Sequence, residues 1–112
     1  MEMKTSELTG AALDWAVAKC EGFKYEMYEH NRKKWENGLH RPQHWQPSTD
    51  WAQGGTIIER EKIALDFDGK KWCASNNHKP LANYGLTPLI AAMRCYVVSK
   101  LGDTVDVPKE LF

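Results

Sequence analysis

The stretch from Thr87 to Gly102 constrains this chain more than any other. Thr87 is a helix N-cap residue, Pro88 fills the first helical position where its missing N–H costs nothing, and Gly102 stands where a helix stops. Between them Leu89, Ala92, Met93, Tyr96, Val97 and Lys100 share one face, and Ile90, Val98 and Leu101 widen it. A helix that is apolar around more than half its circumference has to be covered on several sides, so it belongs at the centre of the fold. In 112 residues there is room for one core around it, and residues 1–112 are read as a single domain.

What covers that helix is read from the remaining periodicities. Thr9 caps a helix over 9–21, with Ala12, Leu13, Ala16, Val17 and Cys20 on one face and Gly22 as terminator. Asp14, Ala18 and Glu21 fall on the other side, and Trp15 sits off the stripe, at an edge or a contact surface. Phe23, Tyr25 and Met27 alternate with Lys24 and Glu26, which predicts a strand over 23–29; the basic run that follows, with Pro42 and Pro47, makes 30–47 an exposed excursion. Ile63, Leu65 and Phe67 form a half-buried strand, Asp68-Gly69 a hairpin turn, and Lys70 to Ser75 the return. Residues 76–86 read as a loop, and 103–112 as a C-terminal tail that wraps the surface or meets another subunit. The fold class is therefore α+β, a small antiparallel sheet of about three strands with helices packed on it, a helix-sheet-helix sandwich whose edge strand invites a homo-oligomer.

The charge balance removes several functions. Fifteen Lys and Arg against fifteen Asp and Glu give net zero and a pI near 6.9, so no global basic field favours nucleic acid. No apolar run approaches the roughly 18–20 residues of a membrane helix, and no signal peptide is visible, so the cytoplasm, without membrane contact, is the expected location. Cys20, Cys73 and Cys95 are widely spaced in apolar stretches, as free thiols are. Pro42 separates His40 from His44, His30 and His78 stand alone, and Asp66 with Asp68 reads as a polar outer face beside a turn. With no nucleophile elbow, zinc-helix or phosphate-loop motif either, the expectation is a non-enzymatic protein with no cofactor and no metal.

Several segments carry a resemblance: Lys4-Thr5-Ser6-Glu7-Leu8-Thr9-Gly10, Leu13-Asp14-Trp15-Ala16-Val17-Ala18, Pro47 to Gly55, Ile57-Ile58-Glu59-Arg60-Glu61, and Thr87 to Arg94. Together they resemble the NinX-like family of small tailed-phage proteins, which has no established function to carry over. They are also distantly similar to phage helix-sheet-helix sandwich domains, which share the Ser-Thr-Asp and Thr-Pro helix starts in the same order. Thr56 stands where the family is expected to have Pro, and residues 24–46 match no pattern.

The candidate site is Ser48, Thr49, Asp50, Trp51, Gln53, Gly54, Gly55, Thr56 and Arg60. The three successive caps start a helix at Trp51, and Gly54-Gly55 leaves two alternatives: one helix that tolerates both glycines, or a Gly-Gly loop with a restart at Thr56. In the second case the amides of Gln53, Gly54, Gly55 and Thr56 gather at a positive helix end and form an anion site. Trp51 then offers a ring to a base, Gln53 an amide and Arg60 a charge for phosphate. The blander alternative makes Trp51 a core anchor and the glycines a tight packing turn. A second patch interleaves Tyr25, Tyr28, Arg32, Lys33, Lys34, Trp35, His40, Arg41, His44 and Trp45, although Glu26, Glu29 and Glu36 dilute its charge. The functional expectation is a phage accessory protein that binds a nucleotide-like small molecule and sequesters a host immune signal. The alternative is a module that docks on a host or phage protein through Trp15, residues 24–46 or the tail. A DNA-binding accessory in recombination or replication is the weaker third reading, opposed by the neutral charge.

Overall fold

The computed structural model describes residues 1–22, 45–76 and 82–111. In chain order these form strand β1 (Glu2–Lys4), a 3-10 turn (Thr5–Glu7), α1 (Gly10–Cys20), α2 (Trp51–Glu61), β2 (Ala64–Phe67), β3 (Trp72–Ser75), β4 (Asn83–Gly85), α3 (Pro88–Leu101), β5 (Thr104–Asp106) and a closing 3-10 turn (Lys109–Leu111). The class is the one expected, α+β with a three-stranded antiparallel sheet in the order β2-β3-β4. The expected strand over 23–29 and most of the excursion over 30–47 lie outside the described residues. The end of that excursion is packed, with Pro47 buried and Trp45 partly so.

α3 starts as its sequence dictates, with the Thr87 hydroxyl accepting from the Ile90 amide at 3.1 Å and Pro88 in the first turn. Leu89, Ala91, Ala92, Met93, Cys95, Tyr96 and Val97 are all buried, and Ile90, Arg94, Val98 and Leu101 form a half-buried side. β3 and β4 pack on α3 directly, and α1 and α2 pack on it as well, so among the described residues the layers run sheet, α3, then the other two helices. On the sheet's inner face Ala74 is fully buried and Leu65 and Trp72 lean on the core. Leu13, Ala16 and Val17 of α1 are buried in one cluster with Met93 and Val97 of α3, a contribution of about 1.5–3 kcal/mol for each large side chain.

Several local expectations are corrected. Trp15 is 3% exposed and belongs to the core, and Asp14 and Ala18 are buried too, because α1 is covered both by α3 and by the segment that leads into α2. Residues 76–86 contain strand β4, whose Gly85 sits so close to α3 that a Cβ there would lie 2.6 Å from the Ala91 nitrogen. The hairpin loop spans 68–71 and not two residues, because the Asp68 carboxylate accepts from the amides of both Lys70 and Lys71 at 2.9 Å, and β3 begins at Trp72. Those amides hold Asp68 below the usual carboxylate range, Lys71's first, which accounts for this residue as part of the turn. The tail does not wrap the surface: its Thr104–Asp106 pairs antiparallel with Glu2–Lys4, Met3 opposite Val105, and Val105 is buried.

Candidate functional site

The chain enters α2 through a turn closed on itself. The amides of Thr49 and Asp50 both donate to the Gln46 carbonyl, at 3.0 and 2.8 Å, and the Gln46 amide donates to the Gln53 side-chain oxygen at 2.7 Å. The Asp50 carboxylate caps the helix by accepting from Ala52 at 2.9 Å. Ser48 is buried, and its amide donates to the Asp14 carboxylate at 2.9 Å, while Trp45 Nε1 donates to the Asp14 carbonyl at the same distance. Burial pushes Asp14 up to about 6, with the Ser48 amide and hydroxyl pulling the other way.

Of the two alternatives at Gly54-Gly55, the protein takes the continuous helix. Gly54 N–H donates to Asp50 at 2.8 Å, and α2 runs unbroken from Trp51 to Glu61. No positive helix end forms at Thr56, whose hydroxyl bonds back to the Ala52 carbonyl at 2.9 Å. The end that does form, at Trp51, carries the Asp50 carboxylate, which opposes a second anion. The physical reason for the continuous helix is the pair of caps together with close packing. A Cβ on Gly54 would lie 2.4 Å from the Pro47 carbonyl oxygen and 2.6 Å from Leu89 Cδ2, so only glycine lets α2 approach α3 there. Gly55 faces the other way, and a Cβ on it would meet only Trp51 Cε3, at 3.6 Å.

Arg60 stands in the last turn of α2, one residue before its end, but its charge is spent. Its guanidinium grips Glu21 through Nη1 and Nη2 at 3.1 and 2.7 Å, donates through Nε to Glu61 at 2.9 Å, and donates to the Tyr96 hydroxyl at 3.1 Å. Tyr96 in turn donates to Glu21. Burial works to raise the Glu21 carboxyl, but the hydrogen bonds from Arg60 and Tyr96 outweigh it and hold Glu21 below its ordinary range. Burial first, then its bond to Glu21, pushes the Tyr96 phenol up. This network joins α1, α2 and α3, and sequence reading missed it because Glu21 and Tyr96 lie 39 and 36 positions away from Arg60.

Of the nine nominated residues, then, the polar ones are engaged in holding α2 and its entry turn, and Trp51 is left facing out. It is 54% exposed, not a core anchor. Two contacts fix what stands beside it: Gly54 meets Leu89 and Arg60 meets Tyr96, so α2 and α3 run in the same direction with their N-terminal ends together. At the head of α3, Leu86 is 83% exposed, an apolar residue that sequence reading assigned to a loop without comment. The surface at this end of the molecule is therefore two large apolar side chains mounted on two helix starts.

Elsewhere the described residues offer little chemistry. Cys95 is buried and its thiol is pushed up to about 11 by burial; Cys20 is pushed up to about 12 by burial and by Glu21 beside it. Neither is an activated nucleophile. No group of three metal-ligating side chains occurs among the described residues, and all four histidines lie outside them, as does the basic and aromatic patch apart from Trp45. None of the described helices is long and apolar enough to cross a membrane. A family model described as Bacteriophage P22, NinX matches residues 4–100. No curated protein matches the chain significantly.

Proposed function

The chain belongs to the Bacteriophage P22 NinX family, and from that premise we propose a phage accessory protein that works by docking on a second protein through the end where Trp51 and Leu86 stand. The observation that carries this reading is the exposure of those two side chains on two adjacent, well-capped helix starts. An exposed tryptophan on a rigid element is the kind of anchor that dominates protein interfaces, because it buries a large area at a small cost in side-chain entropy. The partner is a host or phage protein in the host cytoplasm whose activity the docking inhibits or modulates. No step of this function requires bond making or breaking.

The test is a photo-crosslinking amino acid placed at 51, at 86 and, as control, at the exposed Asp66, in cells infected with the phage. One shared adduct from 51 and 86, absent from 66, supports the docking end; the same adducts from all three positions, or none, refute it. Sedimentation velocity over a concentration range shows whether the partner is a second copy of this chain, which is the homo-oligomer reading.

A second reading is favoured by one detail, the indole of Trp51 lying over side-chain-free Gly55. That arrangement leaves a flat ring face on which the base of a nucleotide-like ligand can stack, so that the protein would sequester a signalling nucleotide. A nucleotide panel followed by tryptophan fluorescence decides it: saturable quenching that disappears in Trp51→Leu supports this reading, and a flat panel leaves protein docking.

A further inference from the structure

The three-stranded sheet has two outer strands, and their backbones are treated differently. The Asp68 N–H donates to the Lys71 carbonyl at 3.1 Å, so 68 and 71 are a hydrogen-bonded pair. Bonded and unbonded pairs alternate along an antiparallel ladder. Asp66–Cys73 and Ala64–Ser75 are therefore the bonded pairs, and Leu65 and Phe67 turn their amides and carbonyls away from β3. By the same count Trp72 and Ala74 serve β4, and Tyr84 is the β4 residue that faces out. Its carbonyl is taken: Arg94 Nη1 donates to it at 2.7 Å, while Nε of the same guanidinium holds the Leu8 carbonyl at 2.8 Å. The β4 edge is thus closed by a fixed side chain. Among the described residues, the β2 edge has cover for the Phe67 amide, from the Asp66 carboxylate at 3.0 Å, and none for the Leu65 amide and carbonyl. β2 also lacks the Pro, Lys or bulge that commonly blunts an edge strand.

An open edge accepts another strand, and the charges along β2 fit a second copy of this chain in one register. Two copies meeting antiparallel are related by a two-fold axis, so a register is fixed by its central residue. Centred on Asp66, the contact sets Asp66 against Asp66 and Lys62 against Lys70; centred on Phe67, it sets Asp66 against Asp68. Like charges directly opposite destabilise a ladder. Centred on Leu65, Ala64 faces Asp66 and Ile63 faces the exposed Phe67, while Lys62, just before the strand, comes beside Asp68 of the other copy, each contact made twice. We propose that the chain pairs with a second copy of itself through β2, antiparallel and centred on Leu65, joining the two three-stranded sheets into one. The two Leu65 residues then exchange N–H···O bonds across the axis. Within one chain Ala64 stands opposite Ser75 and Asp66 opposite Cys73, so neither position meets a cross-strand charge until the second copy arrives. Leu86 follows β4, at the other edge of the sheet, so this contact and the Trp51–Leu86 docking end stand or fall separately.

The experiment is sedimentation equilibrium of the full chain and of variants at the exposed positions 64 and 66. A monomer–dimer equilibrium is expected for the parent. Ala64→Lys sets a cation against Asp66 of the other copy on both sides of the axis and should tighten the dimer about ten-fold; Ala64→Asp sets two carboxylates together and should loosen it about ten-fold. Adding Asp66→Lys to Ala64→Asp restores opposite charges in the Leu65 register and should bring the dimer back, whereas in the Asp66 register it would set Lys against Lys. Trp51→Ala should leave the dimer unchanged. Parent and Ala64→Lys both monomeric at about 1 mM, a dimer indifferent to the charge at 64, a double variant as loose as Ala64→Asp, or a dimer lost in Trp51→Ala overturns the proposal.

Discussion

Gly54 and Gly55 are neighbours in sequence and opposites in the structure. Gly54 faces α3 and Pro47 with no room for a methyl group; Gly55 faces the Trp51 ring, where a methyl group would sit at ordinary contact distance. The contrast holds for the whole of α2. Its inner side carries Ile57 and the contacts that fix its angle to α3, and its outer side carries Trp51 and Thr56. The lesson is that a paired-glycine motif can have one member required by packing and one that is merely tolerated, and only the direction of the neighbours tells them apart.

Substitutions can sharpen that division. The largest effect is expected from Gly54→Val, which forces three carbons into the Pro47–Leu89 contact and should cost about 3 kcal/mol in chemical denaturation; an unchanged midpoint would show that α2 can slide away from α3. Next comes Asp14, which anchors the turn on the inner side. Its carboxyl is raised from 3.8 to about 6 by burial, so its stabilising contribution is fully present below pH 3.8 and is lost as pH rises through 6. At about 1.4 kcal/mol per unit, up to roughly 3 kcal/mol is at stake, and Asp14→Asn, which keeps the acceptor for Ser48, should be more stable than the parent at pH 7 and lose that slope. Tyr96→Phe removes the hydroxyl shared by Glu21 and Arg60 and should lower stability by about 1–2 kcal/mol, visible as a drop of several degrees in Tm. Gly55→Ala should act in the opposite direction and stabilise by about 0.5–1 kcal/mol, since it replaces a helix-interior glycine where the new methyl would meet only Trp51 Cε3, at an ordinary contact distance of 3.6 Å. Trp51→Ala should fall within about 0.5 kcal/mol of the parent in a melt while abolishing the crosslink from position 86, which would separate binding from folding.

The helix α3 was legible because its start and stop are coded locally, in Thr87, Pro88 and Gly102. The β2–β3 hairpin was legible for the same reason, since Asp68 and Gly69 act on their own neighbours. β1, β4 and β5 were not: three-residue strands are too short to show an alternation, and their pairing is decided by partners far along the chain. Trp15 and Asp14 were placed outward by helical phase alone, which holds for a helix covered on one side and fails for one covered on two. At the nominated site, the sequence marked the Ser48–Asp50 caps correctly as a helix start, but the cost of two glycines, about 1 kcal/mol each, does not say whether caps and packing outweigh it. Arg94 did leave a signal. It is the one charged side chain between Pro88 and Ser99, and the partners such a cation calls for are the Leu8 and Tyr84 carbonyls, which lie far from it in sequence.

The pairing of β1 with β5 has a consequence for how the molecule comes into being. The amino group of Met1 bonds to Asp106, 105 positions away, and among the described residues Glu2–Lys4 has no ladder partner but Thr104–Asp106. During synthesis β1 must therefore wait for this pairing until Thr104–Asp106 has left the ribosome, and the ribbon closes only as a long-range event. A translation product that stops before residue 104 keeps its Glu2–Lys4 strand without the mate it has here, so closure of the ribbon reports that synthesis has passed Asp106.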